Sequence, residues 1–332
     1  MIIQLKKNID SAILNEMALS LNAFHIKRQD SDLLITSSSL KELPGSYEKH
    51  VDELWVFSSD MQLSSRSFQK NKVEITIGDV TIGGNTKNTL LIGGPCSVES
   101  ESQIRSSAEL MKKLGLSMLR GGCFKPRTSP YSFQGMGLDG LKLLSKMREE
   151  YGLKIISEVR DATQVADVIE YTDVIQIGAK AMYDQGILRA CSKTQKPVMI
   201  KRGFGSSLQE FTQAAEFVLS GGNPNVILCE RGIRTFETKT RFTLDLCGVA
   251  WLQEYSNLPI ILDPSHAMGY SYGVPSLTKA CLAMEVDGLI IETHPNPSQA
   301  QSDASQQLNY EEFENLFKEL QPLANSLGIK LV

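Results

Sequence analysis

The sequence predicts an α/β protein, a (β/α)8 barrel preceded by a small α+β unit of ferredoxin-like layout. Three observations carry this. Eight short apolar, β-branched runs recur from about residue 90 onward, each followed by polar residues and a helix-compatible stretch. Charged residues and glycines collect at the C-terminal ends of those runs. The first 70 or so residues have a different texture, with short strands around one helical stretch. Strands alternating with helices imply a parallel sheet with right-handed crossovers. Eight such units in about 250 residues is the size of a closed barrel, with a doubly wound sheet as the structural alternative.

The elements follow in order. Ile2–Leu5 reads as a strand, Ile13–Leu21 as a helix, His25–Lys27 and Leu33–Thr36 as paired strands, and Leu54–Phe57 as a last strand. This is the split β-α-β-β-(α)-β order, although Lys41–Pro44 leaves little room for the second helix. Ser58–Lys72 is polar and serine-rich and reads as a linker, so the expected units are residues 1–70 and 73–332. Val73–Ile82 is hairpin-like and leads into Gly83-Gly84. The barrel runs are Leu90–Ile92, Ser117–Leu119, Lys154–Ile156, Val174–Ile177, Pro197–Ile200, Val226–Leu228, Ile260–Leu262 and Leu289–Ile291. Ser100 and Gln103 fit a capping box, with Ile104, Ala108, Met111 and Leu114 on one helix face and Gly115 to end it.

Composition narrows the function. With 332 residues, 42% hydrophobic and 22% charged, the chain is ordinary for a soluble globular protein. No apolar run approaches the roughly 18 residues of a membrane helix. A net charge of −4 argues against nucleic acid or a polybasic membrane patch as partner. The start, Met1–Lys7, has no apolar signal core. Cys96, Cys123, Cys191, Cys229, Cys247 and Cys281 are scattered, and a chain this long needs no disulfides to build a core. Mostly buried, reduced thiols and a cytoplasmic location are expected.

In a barrel the C-terminal strand ends converge on one face, where active sites lie. Closure makes the seventh, eighth and first strands neighbours, bringing together His266, Glu292 and Cys96. Asp303, on the loop after the eighth strand, can return to the same mouth. One thiolate, one imidazole and two carboxylates suit a divalent first-row metal better than Ca²⁺ or Mg²⁺. The opposite side is cationic, with Arg120, Lys125, Arg127, Lys180, Lys201, Arg231 and Arg234 at or just beyond strand ends. Such a cluster reads as clamps for more than one phosphate or carboxylate. Spacing and composition alone thus reach a metal-dependent lyase, aldolase or transferase acting on phosphorylated small molecules.

The ordered strings GGPCSVES, RGGCFKPRTSPYSFQG, IKRG, CERGIRTFET, ILDPSHAMGY and IETHPNPSQAQSDASQQL, spread over about residues 73 to 320, go further. Together they resemble 3-deoxy-D-arabino-heptulosonate 7-phosphate (DAHP) synthase of the type I-beta branch. The resemblance implies a (β/α)8 barrel that condenses phosphoenolpyruvate with erythrose 4-phosphate and water, releasing phosphate, as the first step of the shikimate pathway towards chorismate and the aromatic amino acids. It implies Cys96, His266, Glu292 and Asp303 as metal ligands, with Mn²⁺ first and Fe²⁺, Co²⁺ or Zn²⁺ as alternatives. Arg120, Lys125, Lys180, Lys201 and Arg231 are implied as phosphoenolpyruvate clamps, and Arg127 and Thr128 as the holders of the erythrose phosphate. Lys125 is implied as proton donor to the developing alkoxide, Glu158 and Asp263 as acidic groups near the reacting carbons, and His294 as a supporting residue. The metal is implied to polarise the aldehyde that C3 of phosphoenolpyruvate attacks.

Two departures stand out against that pattern. Lys180 replaces an Arg and loses its bidentate fork, which implies weaker phosphoenolpyruvate binding. Cys123 replaces an Ala, and an oxidised Cys96–Cys123 pair stands as an alternative to an inert small residue. The resemblance also implies a homotetramer and feedback inhibition by Phe or Tyr through the N-terminal unit. The enzymatic alternative is the related 3-deoxy-octulosonate 8-phosphate synthase, against which the string Lys125 to Ser129 argues. The non-enzymatic one is a catalytically silent, ligand-sensing paralogue, against which the four retained metal-ligand candidates argue.

Overall fold

The computed structural model describes residues 1–28, 31–125 and 129–332 of the chain. The N-terminal elements are β1 (Ile2–Leu5), α1 (Ser11–Ser20), β2 (Phe24–Lys27), β3 (Asp32–Ile35), α2 (Gly45–Glu48) and β4 (Val51–Trp55). Their sheet has the order β2-β3-β1-β4, and its pairings are all antiparallel. Alternation along β1 and β3 divides the apolar side chains between two faces. Ile3, Leu5 and Leu34 pack on Leu14 and Met17 of α1, whereas Ile2, Leu33 and Ile35 join the core shared with the barrel. The last strand lies three residues earlier at its start than the apolar run Leu54–Phe57 predicts. Pairing with β1 sets its limits: Ile2 lies opposite Trp55 and Leu5 opposite Val51. Phe57 leaves the sheet and is buried against the barrel instead. The second helix is a single turn after Pro44 rather than before it, since proline lacks the N–H that a helix interior requires.

The segment 58–72, which reads as a polar linker, lies on the barrel surface. Backbone N–H groups of Gln62, Leu63 and Ser64 and the Ser64 hydroxyl donate to the buried Glu216 carboxylate at 2.6–3.1 Å. The Asn257 amide donates to the carbonyls of Leu63 and Ser65. The polar residues here are partners for buried barrel groups, not a solvated spacer.

The antiparallel hairpin β5 (Glu74–Ile77) and β6 (Val80–Gly83) precedes the barrel. Then come β7 (Asn88–Gly94), α3 (Glu101–Lys113), β8 (Met118–Arg120), α4 (Leu138–Tyr151), β9 (Lys154–Val159), α5 (Val165–Tyr171), β10 (Val174–Ile177) and α6 (Gln185–Cys191). They are followed by β11 (Val198–Lys201), α7 (Leu208–Ser220), β12 (Val226–Glu230), α8 (Leu246–Tyr255), β13 (Ile260–Leu262), α9 (Pro264–Met268), α10 (Val274–Ala283), β14 (Gly288–Glu292), α11 (Tyr310–Leu327) and β15 (Lys330–Leu331). Strands β7 to β14 pair in parallel in sequence order, and β14 pairs with β7, with Glu292 opposite Gly94, so the sheet closes. The doubly wound alternative is excluded by that closure.

Each barrel strand feeds two cores. Leu90, Ile92, Met118, Ile156, Val174, Met199, Ile227, Ile261 and Ile290 point inward, and Ile75, Ile77 and Ile82 of the hairpin join them as a plug. Leu91, Leu119, Ile155, Ile175, Ile200, Leu228 and Leu289 point outward to the helices. At the start of α3 the Ser100 side chain accepts from Gln103 N as expected, but the Gln103 side chain reaches Glu99 N, so the capping box is only half formed. Among the described residues no helix is long and apolar enough to cross a membrane.

Candidate active site at the barrel mouth

The inward phase of each strand delivers the mouth residues. Two positions beyond an inward apolar residue, a side chain again points inward but now reaches the rim. Met118 is thus followed by Arg120, Ile156 by Glu158, Val174 by Gln176, Met199 by Lys201, Ile261 by Asp263 and Ile290 by Glu292. On β12 the step after Ile227 is the buried Cys229, and the next is Arg231. Gly178 continues the phase of Gln176, and a Cβ there would collide with the Glu158 carboxylate. The opposite phase gives a different result. Arg202 and Glu230 point outward and pair at 2.9 Å beneath the helices, with Asp245 as second partner of Arg202, so they serve the scaffold.

One side of the mouth gathers donors for a cation. Cys96 Sγ and carboxylate oxygens of Glu292 and Asp303 lie within 4.8 Å of one another. His266 Nε2 lies 3.4 Å from Glu292 Oε1 and 3.7 Å from Asp303 Oδ2. His266 belongs to α9, a short helix with Pro264 in its first turn and Asp263 as N-cap, accepting from His266 N at 3.0 Å. Asp263 Oδ2 also lies 2.7 Å from His266 Nδ1, off the line of a directed hydrogen bond. Asp303 has φ +48°, a left-handed conformation uncommon outside glycine and Asn/Asp, in the loop that returns it to the mouth. Gln307 ties that loop to the thiol strand, accepting from Cys96 N at 2.9 Å and donating to Ser302 O at 2.9 Å.

Burial and the neighbouring basic groups set the electrostatics of this side. Burial, helped by Glu292, pushes the Cys96 thiol up to about 11. Burial alone would also raise Glu292, Asp303 and Asp263, but neighbouring basic side chains hold all three below the usual carboxylate range. His266 and Arg120 act on Glu292, His266 and Arg241 on Asp303, and His266 and Lys201 on Asp263. A sulfur, a ring nitrogen and two carboxylates converging in a buried corner fit a divalent first-row cation, with Asp263 behind the imidazole as its outer support.

The other side is an anion pocket of about 280 Å³. Six cations line it, Lys125, Lys180, Lys201, Arg231, Arg234 and Arg241, against the carboxylates Glu158 and Asp303. Lys125 Nζ donates to Cys96 O and approaches Cys96 Sγ, both at 3.0 Å, so it stands between the two sides. Burial disfavours its charge, yet Cys96 and Glu158 raise its pKa above the ordinary value. Lys201 donates to Asp263 at 2.6 Å. Arg231 stacks 4.2 Å from the Phe242 ring and Arg234 4.6 Å from Phe204, and the two rings stack on each other. Aromatic faces hold a guanidinium without a carboxylate neutralising it, which leaves N–H groups for an incoming anion. A larger cavity, about 670 Å³, lies between the N-terminal sheet and the barrel near Arg28, Gln69 and Asn257, far from this chemistry in character.

The predicted residues are therefore distributed unevenly. Cys96, His266, Glu292 and Asp303 are brought together, and Lys125, Glu158, Lys180, Lys201 and Arg231 line one pocket. Arg120 is buried and ion-paired with Glu292, at the back of the cation side. Asp263 is fully buried and engaged by Lys201 and His266, which makes it a support rather than a group open to the pocket. Arg127 and Thr128 lie outside the described residues. His294 is buried, accepts from Asn296 N at Nδ1 and places Nε2 3.4 Å from Glu99. The Cys96–Cys123 pair is not formed: both are free thiols. Cys123 packs in the layer shared with α4, against Gly140, while Cys96 faces Lys125 and Asp303. Sequence reasoning missed Gln176, whose amide donates to Glu158 at 2.6 Å, and Arg241 and Gln306 beside the carboxylates. For Gln176 a signal existed, a lone polar residue in phase with an apolar strand.

Comparison with known proteins gives a consistent set of relatives. Residues 63–326 match the sequence profile described as the DAHP synthetase I family. The chain is 43% identical over 270 residues to the phospho-2-dehydro-3-deoxyheptonate aldolase of Thermotoga maritima, covering 81% of this chain and 79% of that protein. It is 32% identical over 264 residues to the 2-dehydro-3-deoxyphosphooctonate aldolase of Francisella tularensis subsp. holarctica, covering 73% of this chain and 95% of that protein. The crystal structure of the DAHP synthase from T. maritima superposes with a TM-score of 0.81 at 37% identity, covering 100% of this chain and 99% of that one.

Proposed function

The chain belongs to the DAHP synthetase I family, and we propose that it is a 3-deoxy-7-phosphoheptulonate synthase whose barrel mouth joins phosphoenolpyruvate to erythrose 4-phosphate. The observation that carries the site assignment is the convergence of Cys96, Glu292 and Asp303 within 4.8 Å, next to a pocket lined by six cations. Cys96, His266, Glu292 and Asp303 are the residues that would hold a divalent metal, with Mn²⁺ first and Fe²⁺, Co²⁺ or Zn²⁺ as alternatives. A cation held there supplies Lewis acidity towards a carbonyl oxygen.

The chain's own residues do the rest. Lys201, Arg231 and Lys180 hold the phosphate and carboxylate of phosphoenolpyruvate, Lys125 completes the charge balance at the boundary of the two sides, and Arg120 acts from behind through its ion pair with Glu292. The methylene carbon of phosphoenolpyruvate attacks the aldehyde carbon, and water adds at the enol carbon. Lys125 Nζ, poised at the boundary, gives a proton to the oxygen that becomes a hydroxyl. The C–O bond to phosphate then breaks, and the cationic wall stabilises the departing charge. Glu158, held by the Gln176 amide, lines the pocket together with Asp303 and is the carboxylate there that is not assigned to the cation. Asp263 acts by holding His266 and Lys201 in place. Arg127 and Thr128 are assigned to the sugar phosphate.

Around this site we place residues 73–332 as the catalytic unit and residues 1–70 as the regulatory one, with Phe or Tyr as effector. We also place the enzyme in the cytoplasm as a homo-oligomer, a tetramer first. Free buried thiols agree with a reducing compartment.

Phosphate release from phosphoenolpyruvate tests the function. Release with erythrose 4-phosphate, lost on chelation and restored by Mn²⁺, is the expected result. Release with arabinose 5-phosphate instead would assign the octulosonate reaction, and release with neither sugar a silent paralogue.

A further inference from the structure

Gln306 is buried in the loop between β14 and α11 and lies against both carboxylates of the cation side. Its Oε1 accepts from Arg241 Nη1 at 2.6 Å. Its Nε2 donates to Glu292 Oε2 at 2.5 Å and approaches Asp303 Oδ2 at 3.4 Å. The orientation of this amide follows from chemistry. An arginine carries only donors, so the glutamine oxygen must face Arg241, and the NH₂ group must face the carboxylates. Arg241 in turn lies 3.3 Å from Asp303 and lines the anion pocket.

We infer that Gln306 is the positioning residue of the cation site, aimed by Arg241 and holding the Glu292 and Asp303 carboxylates in one ligand geometry. Two carboxylates this close repel each other, and a free rotamer of either would turn its oxygens away from a common centre. Arg120 and Arg241 each pair with one of the two carboxylates, but only Gln306 reaches both. A neutral amide orients the oxygens and leaves their charge for the cation.

The inference rests on the assignment of Cys96, His266, Glu292 and Asp303 as the ligands, and the test separates the two. The metal-free full-length protein is titrated with Co²⁺, and the thiolate-to-cobalt charge-transfer absorption and the affinity are recorded for wild type, Gln306→Met and Cys96→Ser. Wild type should develop the absorption and Cys96→Ser should lack it. Gln306→Met should reach the same absorption at saturation with affinity weakened by about 10- to 100-fold, while its metal-free Tm stays that of wild type. Unchanged Co²⁺ affinity in Gln306→Met overturns the inference and leaves the ligand assignment standing. Weakening that comes with a lowered metal-free Tm also overturns it, since the residue is then only structural. If wild type shows no absorption, or Cys96→Ser keeps it, the ligand assignment fails and the inference falls with it. Should Gln306→Met not fold, Gln306→Asn, whose amide is too short to touch Arg241 and both carboxylates, gives the same readout, and wild-type affinity there overturns the inference.

Discussion

The floor and the rim of the barrel are built from the same strands in the same phase, yet they hold opposite kinds of side chain. On the floor Leu90, Met118, Ile156, Val174, Met199, Ile261 and Ile290 are sealed by the hairpin residues Ile75, Ile77 and Ile82. On the rim, one inward step later, Arg120, Glu158, Gln176, Lys201, Asp263 and Glu292 meet one another and the pocket. A floor position can satisfy no polar group, because the plug excludes water and offers only methyl and methylene surface. A rim position has partners, and burial there sharpens each charge interaction. The distance of two residues separates a packing role from a chemical one.

Changes in the two layers should therefore have different signatures. The largest effect is expected on the rim. Cys96→Ala should lower the rate of phosphate release by about 10³-fold or more, several kcal/mol of lost charge stabilisation, while the metal-free Tm stays near that of wild type. On the floor, Ile261→Ala should destabilise the protein by about 2–5 kcal/mol in urea unfolding, with kcat/KM of the folded enzyme unchanged. A parallel loss of activity would show that the layers are mechanically coupled.

The rim should also respond to pH. The Cys96 thiol, raised to about 11, is protonated at neutral pH and must lose that proton to bind a cation. An acid with a raised pKa binds metal less well as pH falls. Apparent Mn²⁺ affinity should rise about tenfold per unit between pH 7.5 and 9, measured by titration of the metal-free protein. A flat profile would mean that the thiol is not a ligand. Arg231→Met should raise KM for phosphoenolpyruvate by about 10- to 100-fold, the worth of a charge-assisted hydrogen bond, with a smaller change in kcat. The smallest effect concerns the thiol pair. Oxidant treatment of metal-free protein should leave Cys96 and Cys123 unlinked, because Cys123 packs under α4, and a Cys123→Ala variant should show the same oxidation sensitivity as wild type.

The rim was readable from sequence where a functional residue directly extends an apolar run. Glu292 follows Ile291, Asp263 follows Leu262 and Lys201 follows Ile200, so the strand itself aims each side chain. Gln306 and Arg241 were not readable. They stand on loops with no periodicity, and their contact joins positions 65 residues apart that only the closed barrel brings together. The segment 58–72 misled for a related reason. Serines and Gln62 look solvated in a string, but Glu216 and Asn257 turn their polar groups into buried contacts.

By itself the sequence determined where the strands and helices fall along the chain and the identity of the charged groups at the strand ends, because these follow from local periodicity and covalent adjacency. Only the tertiary structure decided which of those groups face one another. It set Asp263 behind His266 and Lys201, turned Arg202 and Glu230 outward, separated Cys123 from Cys96 and placed Gln306 across two carboxylates. Those pairings depend on ring closure and on the paths of long loops, and neither is encoded within the reach of a single strand or helix.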